Sequence, residues 1–483
     1  MEHLFEFPLD LPRRGSRQRL AALHGQLRGA ILDGRLKAGV RLPATRALAD
    51  ALGVSRNTVV AAYDLLLGEG YIEARRGAGN FVADLAMRRQ AAPMLTADAN
   101  APWRLAPYWR RFTQLPLPVS PKTFAHDFRL GMPDSRSFPY DVWRRLAARA
   151  LRQASRQVPL YDLAQGRPAL REAIARHISF ARAVACSADD VVVTSGAQQA
   201  FDLLARVLVT PGRTVLAVEN PGYQPLHAAF AAAGARVVSV PVDEEGLVVE
   251  QLPDDANVIY VTPSHQFPLG VVMSPRRRVA LLAFAQARGA LVIEDDYDSE
   301  FRYSGRPLDA LQTLDRNASV CYVGTFSKCL FPMLRIGYAV TPPWLRAAFV
   351  NAKQQADRHG DVLAQDTLAA FMAEGHLVRH VRHMRKVYAE RRDALFEAIH
   401  RHAGDRLQAW PADAGLHVSA RLCAPHDAEL LSAHAAEQGI NLEALNSYAL
   451  APASINGFAF GLGMIDAIHM DEAIRTLAAL LDR

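Results

Sequence analysis

Lys328 lies among small hydroxyl residues, with Arg335 seven positions on, in the segment GTFSKCLFPMLRIG that spans 324–337. An amine placed in a desolvated site is a nucleophile for an aldehyde, so Lys328 can form an imine with an aldehyde-bearing cofactor. Thr325 or Ser327, together with Arg335, can hold a phosphate on the same cofactor. Taken alone, the segment also reads as a surface Ser-Lys turn with a structural arginine.

Three further segments carry matching chemistry. In EDDYD, Asp295 and Tyr297 are two apart and would share one face of a strand after the apolar run Leu291-Val292-Ile293. An aspartate there can pair with a protonated ring nitrogen, and a tyrosine can hydrogen-bond a phenolic oxygen. In VVVTSGAQQAFDLL, a strand passes through a small turn into a helix. The amides of Gly196, Ala197 and Gln198 then sit at the positive helix end, a ready anion site. In NPGY, Tyr223 follows an apolar strand and offers a ring to stack on a flat ligand. Each has a plainer reading as a turn or a packed aromatic, and their joint order favours one site.

Elements must bring these segments together. From Asp127 onward apolar strands at Val191–Thr194, Val215–Val218, Val237–Val240, Val258–Thr262, Leu291–Asp295, Val320–Val323 and Tyr338–Val340 alternate with helical stretches. That alternation predicts a largely parallel, helix-covered α/β sheet. Beyond about residue 343 come long helical patterns and a smaller α+β portion. Prolines and alanines without periodicity mark residues 85–125 as a linker, and its aromatics Trp103, Tyr108, Trp109 and Phe112 suggest that it docks on something.

The first 84 residues read differently. Helical spacing covers Gln18–Leu32, residues 37–43 read as a loop, and a second helix runs from Ala44 to a Gly53 C-cap. Ser55 caps a third helix whose exposed first turn offers Arg56, Asn57 and Thr58, with Arg46 on the helix before it. Two short strands, 71–74 and 80–82, flank a turn with Arg75, Arg76, Gly77 and Gly79, where absent side chains permit close approach to a groove. The plainer alternative is a small helical domain with surface arginines.

Bulk properties agree with this division. Residues 1–90 carry 14 Lys+Arg against 9 Asp+Glu, so almost all of the chain's net charge of +6 sits there, as expected where one end meets a polyanion. The four cysteines are scattered and form no CxxC pair, which predicts a reducing cytoplasm and no disulfide framework. Met1–Pro12 has no signal-peptide pattern, and no run of about 18 apolar residues predicts a membrane span.

The stretch LPATRALADALGVSRNTVVAAYDLLLGEGYIEARRGAGNFV, residues 42–82, resembles the winged helix-turn-helix of GntR regulators. It departs from the usual pattern only at Ala44 and Asn80. Residues 127–483 resemble fold-type-I aminotransferases. With SGAQQAFDLLARVL, VTPSHQFPLGVVMS, IEDDYDSEFRY and GTFSKCLFPMLRIGY behind a GntR module, the chain is similar to the MocR subfamily. The resemblance implies a DNA-binding domain over 1–84, a linker over 85–125 and a PLP-binding aminotransferase-like domain over 126–483. That last part has a large α/β domain with a mostly parallel sheet and a smaller C-terminal α+β domain.

It also implies pyridoxal 5'-phosphate (PLP) on Lys328 as a Schiff base, double-stranded operator DNA as partner, and PLP or a PLP-bound amine as effector. A head-to-tail homodimer with crossed DNA-binding domains would follow, Tyr161 of one chain reaching the phosphate of its partner's cofactor. Here Asp162-Leu163-Ala164 stands where Gly-Asp-Pro is usual after that tyrosine.

Two departures bear on catalysis. Phe267 stands where the aminotransferase N-P-x-G turn has an asparagine bonding the phenolic oxygen, and no arginine occurs between Leu442 and Ala473 to clamp a substrate carboxylate. Arg421 is the nearest candidate. Weak or absent transamination is therefore expected, the alternative being an active aminotransferase with an accessory DNA-binding arm. His376, His380 and His383 have metal-like helical spacing, but the interleaved Arg379, Arg382, Arg385 and Lys386 favour a solvated basic face and no metal. His265 reads as either a donor behind the site or a packed turn residue.

Overall fold

The computed structural model describes the chain apart from residues 1–4, 6, 14–15, 17, 85–104, 112–122, 159, 304–307, 424–425, 451–454 and 483. Trp103 and Phe112, like most of the expected linker, lie outside the described residues. Contacts divide the chain into two units, Met1–Arg110 and Arg111–Arg483.

In the first unit, α1 (Arg19–Leu32), α2 (Thr45–Leu52) and α3 (Arg56–Gly68) bury Leu23, Leu27, Leu48, Val59, Tyr63 and Leu66 against one another. Each leucine so buried contributes roughly 2 kcal/mol. Gly53 takes the left-handed conformation (φ 59°) that ends α2, and the Ser55 hydroxyl accepts the Thr58 N–H at 3.1 Å to start α3. The strands β1 (Ile72–Arg75) and β2 (Gly79–Val82) form an antiparallel wing. Residues 39–42, expected as loop, instead add a third edge to it: Leu42 N–H donates to Asn80 and Val82 N–H to Val40. The two bonds join residues 38 and 42 positions apart, so the pairing leaves no short-range sequence signal.

The second unit is built on an eight-stranded sheet. Its strands are β4 (Val191–Thr194), β5 (Val215–Asn220), β6 (Arg236–Asp243), β7 (Gly246–Leu247), β8 (Val258–Val261), β9 (Leu291–Asp296), β10 (Val320–Thr325) and β11 (Gly337–Val340), in the order β4-β11-β10-β9-β8-β5-β6-β7. All pairings are parallel except those of β11 with its two neighbours and of β7 with β6. Successive side chains point to opposite faces, so Leu216, Val218, Tyr260 and Ile293 pack with Phe201 and Phe349, while Ala217, Ile259, Val261 and Val292 pack with Leu281 and Ala285. Both faces are covered, which is why the strands read as continuous apolar runs. The helices α4 (Tyr140–Ala154), α5 (Pro168–Arg182), α6 (Ala197–Leu208), α7 (Gln224–Ala233), α8 (Pro275–Arg288), α9 (Pro343–Asp357) and α10 (Val362–Ala373) surround this sheet.

A smaller portion follows. The long helix α11 (His376–Ala403) and α12 (Met470–Leu481) pack together, beside a second sheet of β12 (Leu407–Ala409), β13 (His417–Leu422), β16 (Gly457–Gly461) and β15 (Glu443–Ala444), antiparallel in that order. The early β3 (His126–Asp127) pairs with β14 (Ile440–Asn441), tying the start of the unit to its end. The expected solvated face on α11 needs correction. His376 is half-buried, and His380 is buried against Phe138, with its pKa pushed down to about 4 by burial, so it is a neutral core residue. His383 remains exposed.

Candidate functional site

A cavity of about 420 Å³ opens at the carboxyl ends of the central strands. It is lined by Ala197, Gln198, Tyr223, Asp295, Tyr297, Thr325, Ser327, Lys328 and Arg335, nine residues singled out from four separate segments. Crossover connections bring them together, because parallel strands align their carboxyl ends at one edge of the sheet.

Lys328 lies just beyond β10 and donates from Nζ to the Gly131 carbonyl at 2.7 Å. Gly131 (φ 68°) holds a backbone conformation that strains a side chain, and a Cβ there would come within 2.5 Å of that nitrogen and displace it. Burial lowers the Lys328 pKa, opposed by Asp298 and Asp295 and assisted by Arg335. A larger neutral fraction makes it a better nucleophile.

Asp295 lies near the end of β9, fully buried, and burial pushes its pKa up to about 7. Its Oδ2 accepts the Tyr260 hydroxyl at 2.7 Å, whereas Oδ1 is buried with no hydrogen-bond partner. A buried carboxylate oxygen without a donor is costly, and a protonated ring nitrogen entering the cavity would satisfy it. Tyr297 was expected to share a strand face with Asp295. The strand in fact stops at Asp296, and Tyr297 reaches the cavity from the following turn. Behind β9, Asp296 points the other way and pairs with Arg182 at 2.7 Å, so the two adjacent aspartates serve opposite faces.

At the opposite end, Gly196 (φ 80°) caps α6, and Ala197 and Gln198 form its first turn. The Arg335 guanidinium docks on this turn, donating to the Ser195 carbonyl at 2.9 Å; a Cβ on Gly196 would collide with it. Thr325 and Ser327 place their hydroxyls 3.1 Å apart beside it. Free amides at a helix start, two hydroxyls and a guanidinium form a cradle for a dianionic phosphate.

Phe267 fills the remaining wall, edge-on to Tyr223 at 5.8 Å and Tyr448 at 5.0 Å. Gln266 fixes its turn by donating to the Pro221 and Phe267 carbonyls and accepting the Leu269 N–H. Among the described lining residues the only Lys or Arg side chains are Lys328 and Arg335. Arg421 lies on β13 but is exposed and outside the lining, so it is no carboxylate clamp for this cavity. Tyr161 is also elsewhere. It is 77% exposed, with the Arg358 guanidinium 4.8 Å over its ring.

Sequence reasoning did not find Gly131, Tyr260, Leu416, His417 or Tyr448. Tyr260 carried a faint signal, a phenol in an otherwise aliphatic buried strand; the others come from distant segments.

In the first unit Arg46, Ser55, Arg56, Asn57, Arg76, Gly77 and Gly79 are exposed and Thr58 is half-buried. The Ser55 and Thr58 hydroxyls lie 2.8 Å apart within the cap, leaving Arg56 and Asn57 as the freer groups of that turn. Arg75 is held by Glu73 and stacks on Phe81, so Arg76 is the cation at the wing tip without an ion pair among the described residues.

Residues 21–82 match the bacterial regulatory proteins of the gntR family, and residues 129–456 match the class I and II aminotransferases. The probable rhizopine catabolism regulatory protein MocR of Rhizobium meliloti is 38% identical, covering 94% of this chain and 92% of its own length. This chain belongs to the MocR-type GntR regulators. The pyridoxine biosynthesis transcriptional regulator PdxR of Corynebacterium glutamicum is 34% identical over 94% of this chain and 93% of its own. Among solved structures, the α-aminoadipate aminotransferase LysN of Thermus thermophilus, complexed with N-(5'-phosphopyridoxyl)-L-leucine, aligns with a TM-score of 0.67 at 29% identity, over 74% of this chain and 92% of its own. The MocR-type chain is thus a DNA-binding transcriptional regulator that joins a winged helix-turn-helix to a fold-type-I aminotransferase domain. Its fold implies pyridoxal phosphate as cofactor, and the residues lining the cavity fit that group at both ends.

Proposed function

We propose that this regulator holds pyridoxal phosphate as a Schiff base on Lys328 and converts the presence of PLP, or of a PLP–amine adduct, into a change in operator binding. The observation that carries the reading is the buried, unpartnered Oδ1 of Asp295 in the same cavity as Lys328. Asp295 would pair with the cofactor's ring nitrogen, and Tyr223 would pack on its face. Gly196, Ala197, Gln198, Thr325, Ser327 and Arg335 would hold the phosphate. When bound, the cofactor supplies an aldehyde and an electron sink. The chain itself supplies orientation, a desolvated amine and a cavity whose described lining residues include no arginine besides Arg335.

That last feature favours sensing over turnover. Among the described lining residues, a substrate carboxylate at Phe267, Leu416 and Tyr448 would find no arginine besides the phosphate-holding Arg335, and desolvating an unpaired carboxylate is unfavourable. Residues 1–84 would bind double-stranded operator DNA in the cytoplasm. Residues 85–125 would link them to the effector domain, 126–483. A homodimer would complete each cofactor site with Tyr161 of the partner, and Leu151, Val158, Leu160 and Leu163, all exposed near it in sequence, give that surface an apolar character.

Absorbance provides the test. The purified protein with PLP should gain an imine band that Lys328→Ala abolishes. A band that survives Lys328→Ala would sink the cofactor assignment. Efficient turnover in an amino-acid screen would replace sensing with an active aminotransferase carrying an accessory DNA-binding arm.

A further inference from the structure

Behind Tyr297 lies a buried group that the cofactor reading does not use. His265, on the turn after β8, brings Nδ1 within 3.0 and 3.2 Å of the two Asp298 carboxylate oxygens and within 3.0 Å of the Tyr297 hydroxyl. Asp298 Oδ2 also accepts the Leu416 N–H at 2.9 Å. The imidazole packs against Gly415 (φ 92°), where any Cβ would overlap the ring, with its centroid 4.5 Å from that of the His417 ring. Its Nε2 is buried with no partner. A histidine serving only as packing would have both nitrogens satisfied or be replaced by an apolar ring.

The hydrogen-bond pattern assigns the proton. A carboxylate accepts only, so Nδ1 carries the hydrogen that faces Asp298. That same N–H is shared with the Tyr297 oxygen, which therefore accepts. The Tyr297 hydroxyl proton is left free to donate elsewhere, and Tyr297 lines the Lys328 cavity. Phe267, whose ring stands edge-on to Tyr297 at 6.1 Å, offers no donor of its own.

We propose that His265, held by Asp298, is a positioning residue that turns the Tyr297 hydroxyl proton into the cavity, so that this one phenol supplies the donor that Phe267 cannot. The inference rests on the reading of the cavity as a PLP site, with Tyr297 beside the cofactor's phenolic oxygen. A donor there stabilises the linkage most after it has lost its own proton, because the phenolate then has no other partner, and so lowers the linkage's pKa. The charged and titratable groups facing the dyad are Tyr297, Glu300 and Tyr303 from the segment after β9, His417 from β13, and Asp295 and Lys328 across the cavity. His417 is held neutral by burial and by His265 itself, and its Nε2 is engaged with the Pro268 carbonyl at 2.9 Å.

The test is a pH titration of the imine absorbance of the full-length, PLP-loaded protein. His265→Leu should raise the midpoint by about one pH unit. His265→Asn, whose amide N–H can occupy the Nδ1 position, should return it toward the wild-type value. His265→Gln, of similar volume but with its amide near the Nε2 position, should not. Tyr297→Phe should raise the midpoint as His265→Leu does, and the double variant should go no further.

A His265→Leu midpoint equal to wild type would overturn the proposal, as would a shift that adds in full on the Tyr297→Phe background. If His265→Leu fails to fold, the contrast between the asparagine and glutamine variants decides alone. A chelator that moved the wild-type midpoint would show that His265, Asp298 and His417, whose ligating atoms lie within 4.8 Å of one another, hold a metal instead. A wild-type protein with no pH-sensitive band on Lys328 would defeat the cofactor reading, a separate outcome.

Discussion

Asp295 concentrates the electrostatics of the pocket at one residue. Burial holds its carboxyl near pKa 7 against an ordinary value near 4, so folding without a cofactor favours the protonated form. Stability from this group is present below the ordinary value and is lost as pH rises through about 7. Asp295→Asn does not titrate, so in the cofactor-free protein its stability relative to wild type should rise between about pH 4 and pH 7, by up to a few kcal/mol, and level off above. Urea unfolding at a series of pH values measures this; a pH-independent difference would contradict it. With PLP the sign reverses. Losing the charged partner of the ring nitrogen should weaken PLP binding by about 2 kcal/mol, read by titrating the imine band.

At the scale of elements, the first turn of α3 and the tip of the β1–β2 wing have separate tasks. Arg56 is exposed next to a cap that fixes its direction, which suits a base-edge contact, whereas Arg76 sits on a glycine-flanked turn suited to a phosphate. Arg56→Ala should weaken operator binding by about 1–3 kcal/mol and relax sequence preference. Arg76→Ala should weaken all sequences alike and reduce the salt slope by about one. Fluorescence anisotropy with operator and scrambled duplexes at several salt concentrations separates the two, and equal effects on both duplexes for Arg56→Ala would refute the base contact.

For the whole molecule, the cofactor cavity of one chain contains no Tyr161, and an exposed aromatic in an apolar run suits a second copy. A domain-swapped dimer predicts a complementation. Tyr161→Phe should lower PLP affinity and Lys328→Ala should abolish the imine. Mixed dimers of the two variants should regain one wild-type site in two, because the intact lysine then meets the intact tyrosine. No recovery on mixing, in a preparation shown to be mixed dimers, would place Tyr161 outside the site.

Much of this protein was legible in its residues because the signals are local. Apolar runs gave seven of the eight strands from β4 to β11, all but the two-residue β7, to within a residue or two at most ends, since a strand buried on both faces has few polar positions to confuse it. Turn chemistry gave α2, α3 and the wing, and residue type at strand ends gave nine lining residues of the cavity. What needed the tertiary structure depends on separation along the chain. The Gly131 carbonyl on Lys328, the Leu416 amide on Asp298 and the third wing edge join residues that are tens to hundreds of positions apart. Orientation was equally hidden: His380 turned out to be core, Arg421 exposed, and the proton of His265 was set by Asp298. Sequence by itself determined which chemical groups are present and at which strand ends they fall. Only the fold decided which of them face the same few ångströms of space, because hydrogen bonds and burial act at contact distance and chain connectivity does not encode contact.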